Sequence, residues 1–83
     1  MSIDYGQLRN LTTRELISAL VRDGFGFDRG GGSHQVYYHT DGRRVTVPFH
    51  RGSSTFTRKT LRSIIETQAR WTEADLKRLK FVP

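Results

Sequence analysis

Gln35-Val36-Tyr37-Tyr38-His39-Thr40-Asp41-Gly42-Arg43-Arg44-Val45-Thr46-Val47-Pro48-Phe49 is the stretch that decides the fold. Apolar and polar residues alternate on either side of Asp41-Gly42, and Asp-Gly between alternating runs is the strongest short-range hairpin signal a sequence carries. The pattern predicts two antiparallel strands, over 35–40 and 43–49, with Asp41 and Gly42 as a two-residue turn. That turn pairs Tyr38 with Val45, Val36 with Val47 and His34 with Phe49. Because side chains alternate along a strand, Val36, Tyr38, Val45, Val47 and Phe49 then face the core, while Gln35, Tyr37, His39, Arg44 and Thr46 face away. Pro48 has no N–H to donate and falls on the outward set, at the strand's end or on an edge.

Upstream, Phe25 and Phe27 alternate with Gly26 and Asp28, which predicts a short strand and completes a three-stranded antiparallel meander. Between it and the hairpin lies Gly30-Gly31-Gly32-Ser33-His34. Three glycines give up packing and cost backbone entropy, which suits a position of positive φ or one where another molecule approaches the backbone. The run is expected to bend freely and to hold His34 at a strand's mouth. By strand parity His34 joins the core-facing set, yet it stands at the first pair, on the rim of the sheet. The local residues fit a functional histidine on a hinge and an incidental one in a flexible hairpin equally well.

Helices flank this sheet. Thr12 with Glu15 reads as a capping box, and Leu16, Ile17, Leu20 and Val21 form an apolar stripe, predicting a helix over about 13–23 with Gly24 as its left-handed stop. Thr57 caps a second helix over about 58–70, with the stripe Leu61, Ile64, Ile65 and Gln68. Thr72 with Asp75 starts a short third helix carrying Leu76 and Leu79, and Trp71 bridges the two in the core. Helix, three strands, helix and a short C-terminal helix is an α+β order, with helices on one face of an antiparallel sheet. Double-stranded-RNA-binding domains share that order, though order alone assigns no function.

The 83 residues are expected to form one domain, 1–83, with 1–10 as an N-terminal extension. There is no cysteine, so neither disulfides nor thiolate zinc can add stability. No apolar run is long enough for a signal peptide or a membrane span, and a cytoplasmic location is the default expectation. The net charge of +6 is unevenly spread: residues 1–24 balance, residues 25–62 carry +5, and residues 63–83 carry +1. A basic middle suits a polyanion, since phosphate contacts dominate nucleic-acid affinity; an acidic protein partner would select the same charge.

A histidine titrates near neutrality, with an unperturbed pKa of roughly 6.5. One imidazole and a cluster of cations suffice to cleave RNA without a metal: a base removes the 2′-hydroxyl proton and the cations stabilise charge on the phosphorus oxygens. The candidates are His34 as general base or general acid, Gly32 and Ser33 to position it, and Arg29, Arg43, Arg44, His50, Arg51, Arg58 and Lys59 for RNA contact. Metal-dependent hydrolysis needs clustered carboxylates, and the middle offers only Asp28 and Asp41. His34 and His39 lie about 16 Å apart along one strand on opposite faces and cannot share zinc. No metal and no cofactor is expected. His39 reads as a solvated residue facing Arg44, and His50 either as a substrate contact or as a loop histidine. Tyr37 and Arg44 could stack on bases from the open face; Tyr37 serves equally as a cross-strand partner of Thr46. Arg58 and Lys59 oppose the dipole at the start of the second helix, which a phosphate bound near 57–60 within reach of His34 would relieve.

In order along the chain stand Leu20 with Asp23-Gly24-Phe25, Gly32-Ser33-His34, Asp41-Gly42, Val47-Pro48-Phe49-His50 and Thr60-Leu61-Arg62-Ser63-Ile64-Ile65. Through these motifs the chain resembles the HicA toxins, the small mRNA interferases of HicA/HicB toxin–antitoxin pairs, over residues 11–79. The resemblance implies a fold like that of double-stranded-RNA-binding domains over a toxin domain of residues 11–80, and ribosome-independent cleavage of mRNA. The catalytic histidine of the Gly-Ser-His motif falls on His34. It also implies neutralisation by a HicB-like antitoxin that covers the active site and carries the DNA-binding element, so no sequence-specific DNA binding is expected of this chain. Two departures stand out: Lys59-Thr60 where many members have Gly-Thr, and a longer N-terminus, which fits an ordered arm or a disordered tail. The rival readings are a non-catalytic RNA-binding module and a basic interaction protein for an acidic partner.

Overall fold

The Thr12 hydroxyl accepts the Glu15 N–H while the Glu15 carboxylate accepts the Thr12 N–H, and this reciprocal cap opens α1 (Thr13–Arg22). In this computed structural model, which describes residues 3–83, α1 buries Thr13, Leu16, Ala19 and Leu20. The stripe therefore lies slightly round the helix from the expected one. Val21 is 55% exposed and Ile17 is half-buried, while the small Ala19 is fully buried. Gly24 takes φ +97, and the Phe25 N–H reaches back to the Leu20 carbonyl at 2.9 Å, ending the helix as expected.

Three strands follow, β1 (Gly26–Gly31), β2 (His34–Tyr38) and β3 (Arg44–Pro48), in the order β1-β2-β3 with antiparallel pairing throughout. The glycine run is not a hinge. Gly30 and Gly31 belong to β1, Gly31 pairs with His34, and Gly32-Ser33 make a tight two-residue turn. Gly32 has φ +66 while Ser33 does not have positive φ, the pattern of a type II′ turn. Gly30, at φ +141, lies so close to β2 that a Cβ there would sit 2.5 Å from the His34 carbonyl oxygen. Between Phe27 and Arg29 the register slips, leaving Asp28 as a bulge.

The β2–β3 register differs from the expected one by one residue. The His39 N–H donates to the Arg43 carbonyl and the Gly42 N–H to the His39 carbonyl, both at 2.9 Å, so the connection is a three-residue loop of Thr40, Asp41 and Gly42. Gly42, at φ +99, supplies the left-handed position that such a loop requires. Tyr37 therefore faces Val45, Gln35 faces Val47, Val36 faces Thr46 and His34 faces Pro48. One slipped residue turns β2 over. Tyr37, expected outside, is 5% exposed, and Tyr38, expected in the core, is 44% exposed. Val36 is half-buried on the outer face. Phe49 lies beyond β3, half-buried, its N–H on the Ser33 carbonyl at 2.7 Å. Val45 and Val47 are buried, Arg44 and Thr46 are exposed, and Pro48 ends an edge strand, as expected.

Thr57 caps α2 (Arg58–Arg62), which continues as a π-helical segment, Ser63–Gln68. Leu61, Ile64 and Ile65 are buried, whereas Gln68 does not join the apolar stripe: its Oε1 accepts the Thr46 N–H at 2.8 Å, covering a donor on the free edge of β3. A second capping box, Thr72 with Asp75, opens α3 (Glu73–Arg78), which buries Leu76, and Trp71 is 2% exposed between the helices. Before α1, a 3-10 turn at Tyr5–Leu8, capped by Asp4, sets Leu8 into the core. Residues 3–10 are thus an ordered arm. All the helices pack on the Tyr37/Val45/Val47 face, and the opposite face of the sheet is left open.

Candidate functional site

His34 begins β2 directly after the Gly32-Ser33 turn, and its side chain is exposed. The Ser33 Oγ lies 3.1 Å from His34 Nδ1. That contact occupies one ring nitrogen and orients the ring, leaving Nε2 as the atom able to exchange a proton with a ligand. Pairing puts His34 on the outer face of the sheet, not in the core-facing set expected from the two-residue turn. Arg29, Val36, Tyr38, Arg44, Thr46 and Pro48 share that face. The Arg29 side chain is 71% exposed and approaches its neighbour Asp28 at 4.0 Å. The Arg44 guanidinium sits 5.7 Å from the centroid of the Tyr38 ring. The open face therefore carries one imidazole, two arginines and one aromatic ring. Such a set can receive a phosphodiester and a base. Tyr38 was missed because the expected register buried it.

Other expected contacts lie elsewhere. Arg43 belongs to the scaffold, which corrects its expected role at phosphate: Nε donates to Asp41 Oδ2 at 2.8 Å, Nη1 to the Ala69 carbonyl at 2.6 Å, and Nη1 lies 3.4 Å from Asp23 Oδ2. Its guanidinium also covers the Phe25 ring at 4.9 Å, and the side chain is only 16% exposed. His39 is likewise structural rather than solvated. Its ring meets Phe25 edge-on at 5.0 Å, with Nε2 2.9 Å from the Asp23 carbonyl oxygen.

Asp23 gathers these parts. Its carboxylate accepts Trp71 Nε1–H and Arg78 Nη2–H, each at 2.8 Å, beside Arg43. Desolvation pushes the carboxyl pKa up, but the Trp71 and Arg78 hydrogen bonds and the charges of Arg78 and Arg43 outweigh it and hold the pKa below the usual value.

His50 and Arg51 are exposed just past β3, at the His34 end of the sheet. The loop they enter is tied to α1 by the Arg14 N–H on the Gly52 carbonyl at 3.0 Å and the Thr13 N–H on the Ser54 carbonyl at 2.8 Å. Arg58 and Lys59 line an open groove of about 1620 Å³ together with Arg62, Arg70, Lys77 and Tyr5. No strand residue lines that groove, and neither does His34. The helix ends beside the start of β3, where the Ala69 carbonyl accepts from Arg43. In the groove Tyr5 donates its hydroxyl to Glu66, and burial followed by that carboxylate raises the phenol's pKa.

Among the described residues no group of three His, Asp or Glu side chains is placed to hold a metal ion, and no helix is long and apolar enough to cross a membrane. The family described as HicA toxin of bacterial toxin–antitoxin matches residues 13–71, most of the chain, from the first turn of α1 to Trp71. The chain belongs to the HicA toxin family. No curated protein matches it. Membership makes the chain a toxin of a toxin–antitoxin system, with an antitoxin as the partner that such a system entails. The HicA match takes in the whole sheet, so the Gly32-Ser33-His34 turn and the open face lie inside it.

Proposed function

We propose that this HicA-family chain is a metal-independent endoribonuclease that cleaves mRNA in the cytoplasm through His34 and is held inactive by a HicB-like antitoxin. The toxin domain is residues 11–80, preceded by the extension 1–10. The observation that carries the reading is the exposed His34 ring, oriented through Nδ1 by Ser33 at the tip of a tight turn and facing the same side as Arg29 and Arg44. With the Ser33 oxygen accepting from Nδ1–H, Nε2 carries a lone pair and takes the 2′-hydroxyl proton. The 2′-oxygen then attacks phosphorus, the bond to the 5′-oxygen breaks, and that oxygen takes a proton from water. The products are a 2′,3′-cyclic phosphate and a 5′-hydroxyl end. Arg29 and Arg44 stabilise the charge that grows on the phosphorus oxygens, and His50, Arg51, Arg58 and Lys59 hold flanking phosphates.

The test is induced expression of the wild type and of His34→Ala, following growth and total mRNA in the same cultures. Growth arrest and mRNA decay with the wild type alone support the nuclease reading. Arrest with both variants overturns it in favour of toxicity through binding, and arrest with neither removes the toxin activity assigned to His34.

A further inference from the structure

The three-residue loop that turns β2 over has a functional consequence: Tyr38 shares the outer face with His34, with half-buried Val36 between them. Four residues along a strand span about 13 Å, short enough for one extended RNA strand to reach both side chains. The Tyr38 ring is 44% exposed and is the one aromatic side chain among the paired residues of that face. Tyr37, its neighbour, is buried and donates its hydroxyl to Gln35 at 2.8 Å, so the two tyrosines divide between core and surface. Arg44 approaches the Tyr38 ring at 5.7 Å, and Arg29 stands opposite Val36 on β1. A flat ring with the Arg44 guanidinium against it and Arg29 on the same face of the sheet matches a nucleobase joined to phosphates. Every base has a π-face that such a ring can accept.

We propose that Tyr38 is a base-stacking platform for single-stranded RNA lying across the open sheet, with Arg44 and Arg29 on its phosphates, and that it positions the strand for cleavage at His34. This rests on the ribonuclease reading above. Tyr38 is a positioning residue: it holds a nucleotide away from the reacting phosphodiester, so its loss acts on binding. Double-stranded RNA buries its bases in the stack and offers this ring nothing, which makes single strands the substrate class.

The experiment uses the full chain and a 2′-O-methyl RNA oligonucleotide carrying one 2-aminopurine, which lacks the 2′-hydroxyl and cannot be cleaved. Titration reads affinity by anisotropy and stacking by quenching of the 2-aminopurine. The wild type is expected to bind and quench. Tyr38→Ala is expected to lose about tenfold in affinity, together with the quenching. Tyr38→Phe and Tyr38→Trp are expected to restore both, and thermal unfolding of all three variants to stay near the wild type, since the ring is not in the core. In cleavage of natural RNA, Tyr38→Ala should raise KM and leave kcat nearly unchanged. Equal affinity and quenching in Tyr38→Ala and the wild type would overturn the platform while leaving the nuclease reading intact. No binding by the wild type would overturn both, and stronger binding of a duplex than of the single strand would overturn the assignment of substrate class.

Discussion

His39 Nε2 lies 2.9 Å from the carbonyl oxygen of Asp23, the residue that ends α1, and this contact ties the helix to the β2–β3 loop. On its other side the ring's Nδ1 accepts the Asp41 N–H at 3.1 Å. An Nδ1 that accepts leaves Nε2 to donate to the Asp23 carbonyl, so the two contacts are compatible in one ring. His39→Ala leaves a carbonyl and an N–H without partners and removes the edge-on contact with Phe25. The expected loss is about 2 kcal/mol in urea unfolding. His34→Ala, at an exposed ring, is expected to move the same curve by less than about 0.5 kcal/mol. Similar losses for the two would refute this division of labour.

Gly30 and Gly31 separate backbone requirement from mere composition. A Cβ at Gly30 would meet the His34 carbonyl oxygen at 2.5 Å and the Gln35 Cα at 2.7 Å, whereas at Gly31 nothing lies within 4 Å. Gly30→Ala is expected to cost about 2 kcal/mol or more and to lower RNA cleavage by displacing His34. Gly31→Ala is expected to fold and cleave like the wild type. Denaturant unfolding and cleavage assays on the pair check this; equal behaviour of the two would show that β1 does not pack on β2 as described.

Much of this was legible in the residues, and the part that was not has a definite cause. Capping boxes declare themselves locally, which is why Thr12 with Glu15 and Thr72 with Asp75 were readable as helix starts. Asp41-Gly42 announces a hairpin but is ambiguous about its length. In a two-residue type I′ turn Asp41 and Gly42 would both take positive φ, and in the three-residue loop Gly42 alone does. That single difference exchanges Tyr37 with Tyr38 and moves His34 to the open face. Arg43 was misread for a different reason: Asp23 and Ala69, which hold it, lie far away in sequence. The Gly32-Ser33-His34 motif was readable as a candidate, but the company it keeps on the open face depends on the register.

Ser33 offers a test of orientation apart from charge. Its Oγ contacts His34 Nδ1 at 3.1 Å, and both side chains are exposed. Ser33→Ala removes that contact without opening the core. Cleavage is expected to fall about tenfold, through kcat, with RNA affinity and unfolding unchanged. Ser33→Thr keeps the hydroxyl and should recover part of the rate. A rise in KM with kcat unchanged would move Ser33 from orienting His34 to binding RNA.

Asp23 is expected to contribute to the acid limit of the fold. Its carboxyl pKa is held below the ordinary value because the Trp71 and Arg78 hydrogen bonds and the neighbouring cations overcome the cost of burial. A carboxylate whose pKa is lower folded than unfolded contributes stability that is present above the unfolded pKa, near 3.9, and is lost as pH falls through the folded value. The wild-type Tm is therefore expected to hold from neutrality to about pH 5 and to fall steeply below about pH 4. Asp41, Asp75 and Glu15 are shifted in the same direction and share that window. Asp23→Asn can still accept from Trp71 but leaves Arg43, with its side chain 16% exposed, beside no charge at that position. It is expected to lose about 2 kcal/mol at pH 7 and to show a shallower fall in acid. Thermal unfolding of both proteins from pH 3 to pH 7 decides the matter: parallel curves for wild type and Asp23→Asn would place the acid-sensitive carboxylate elsewhere.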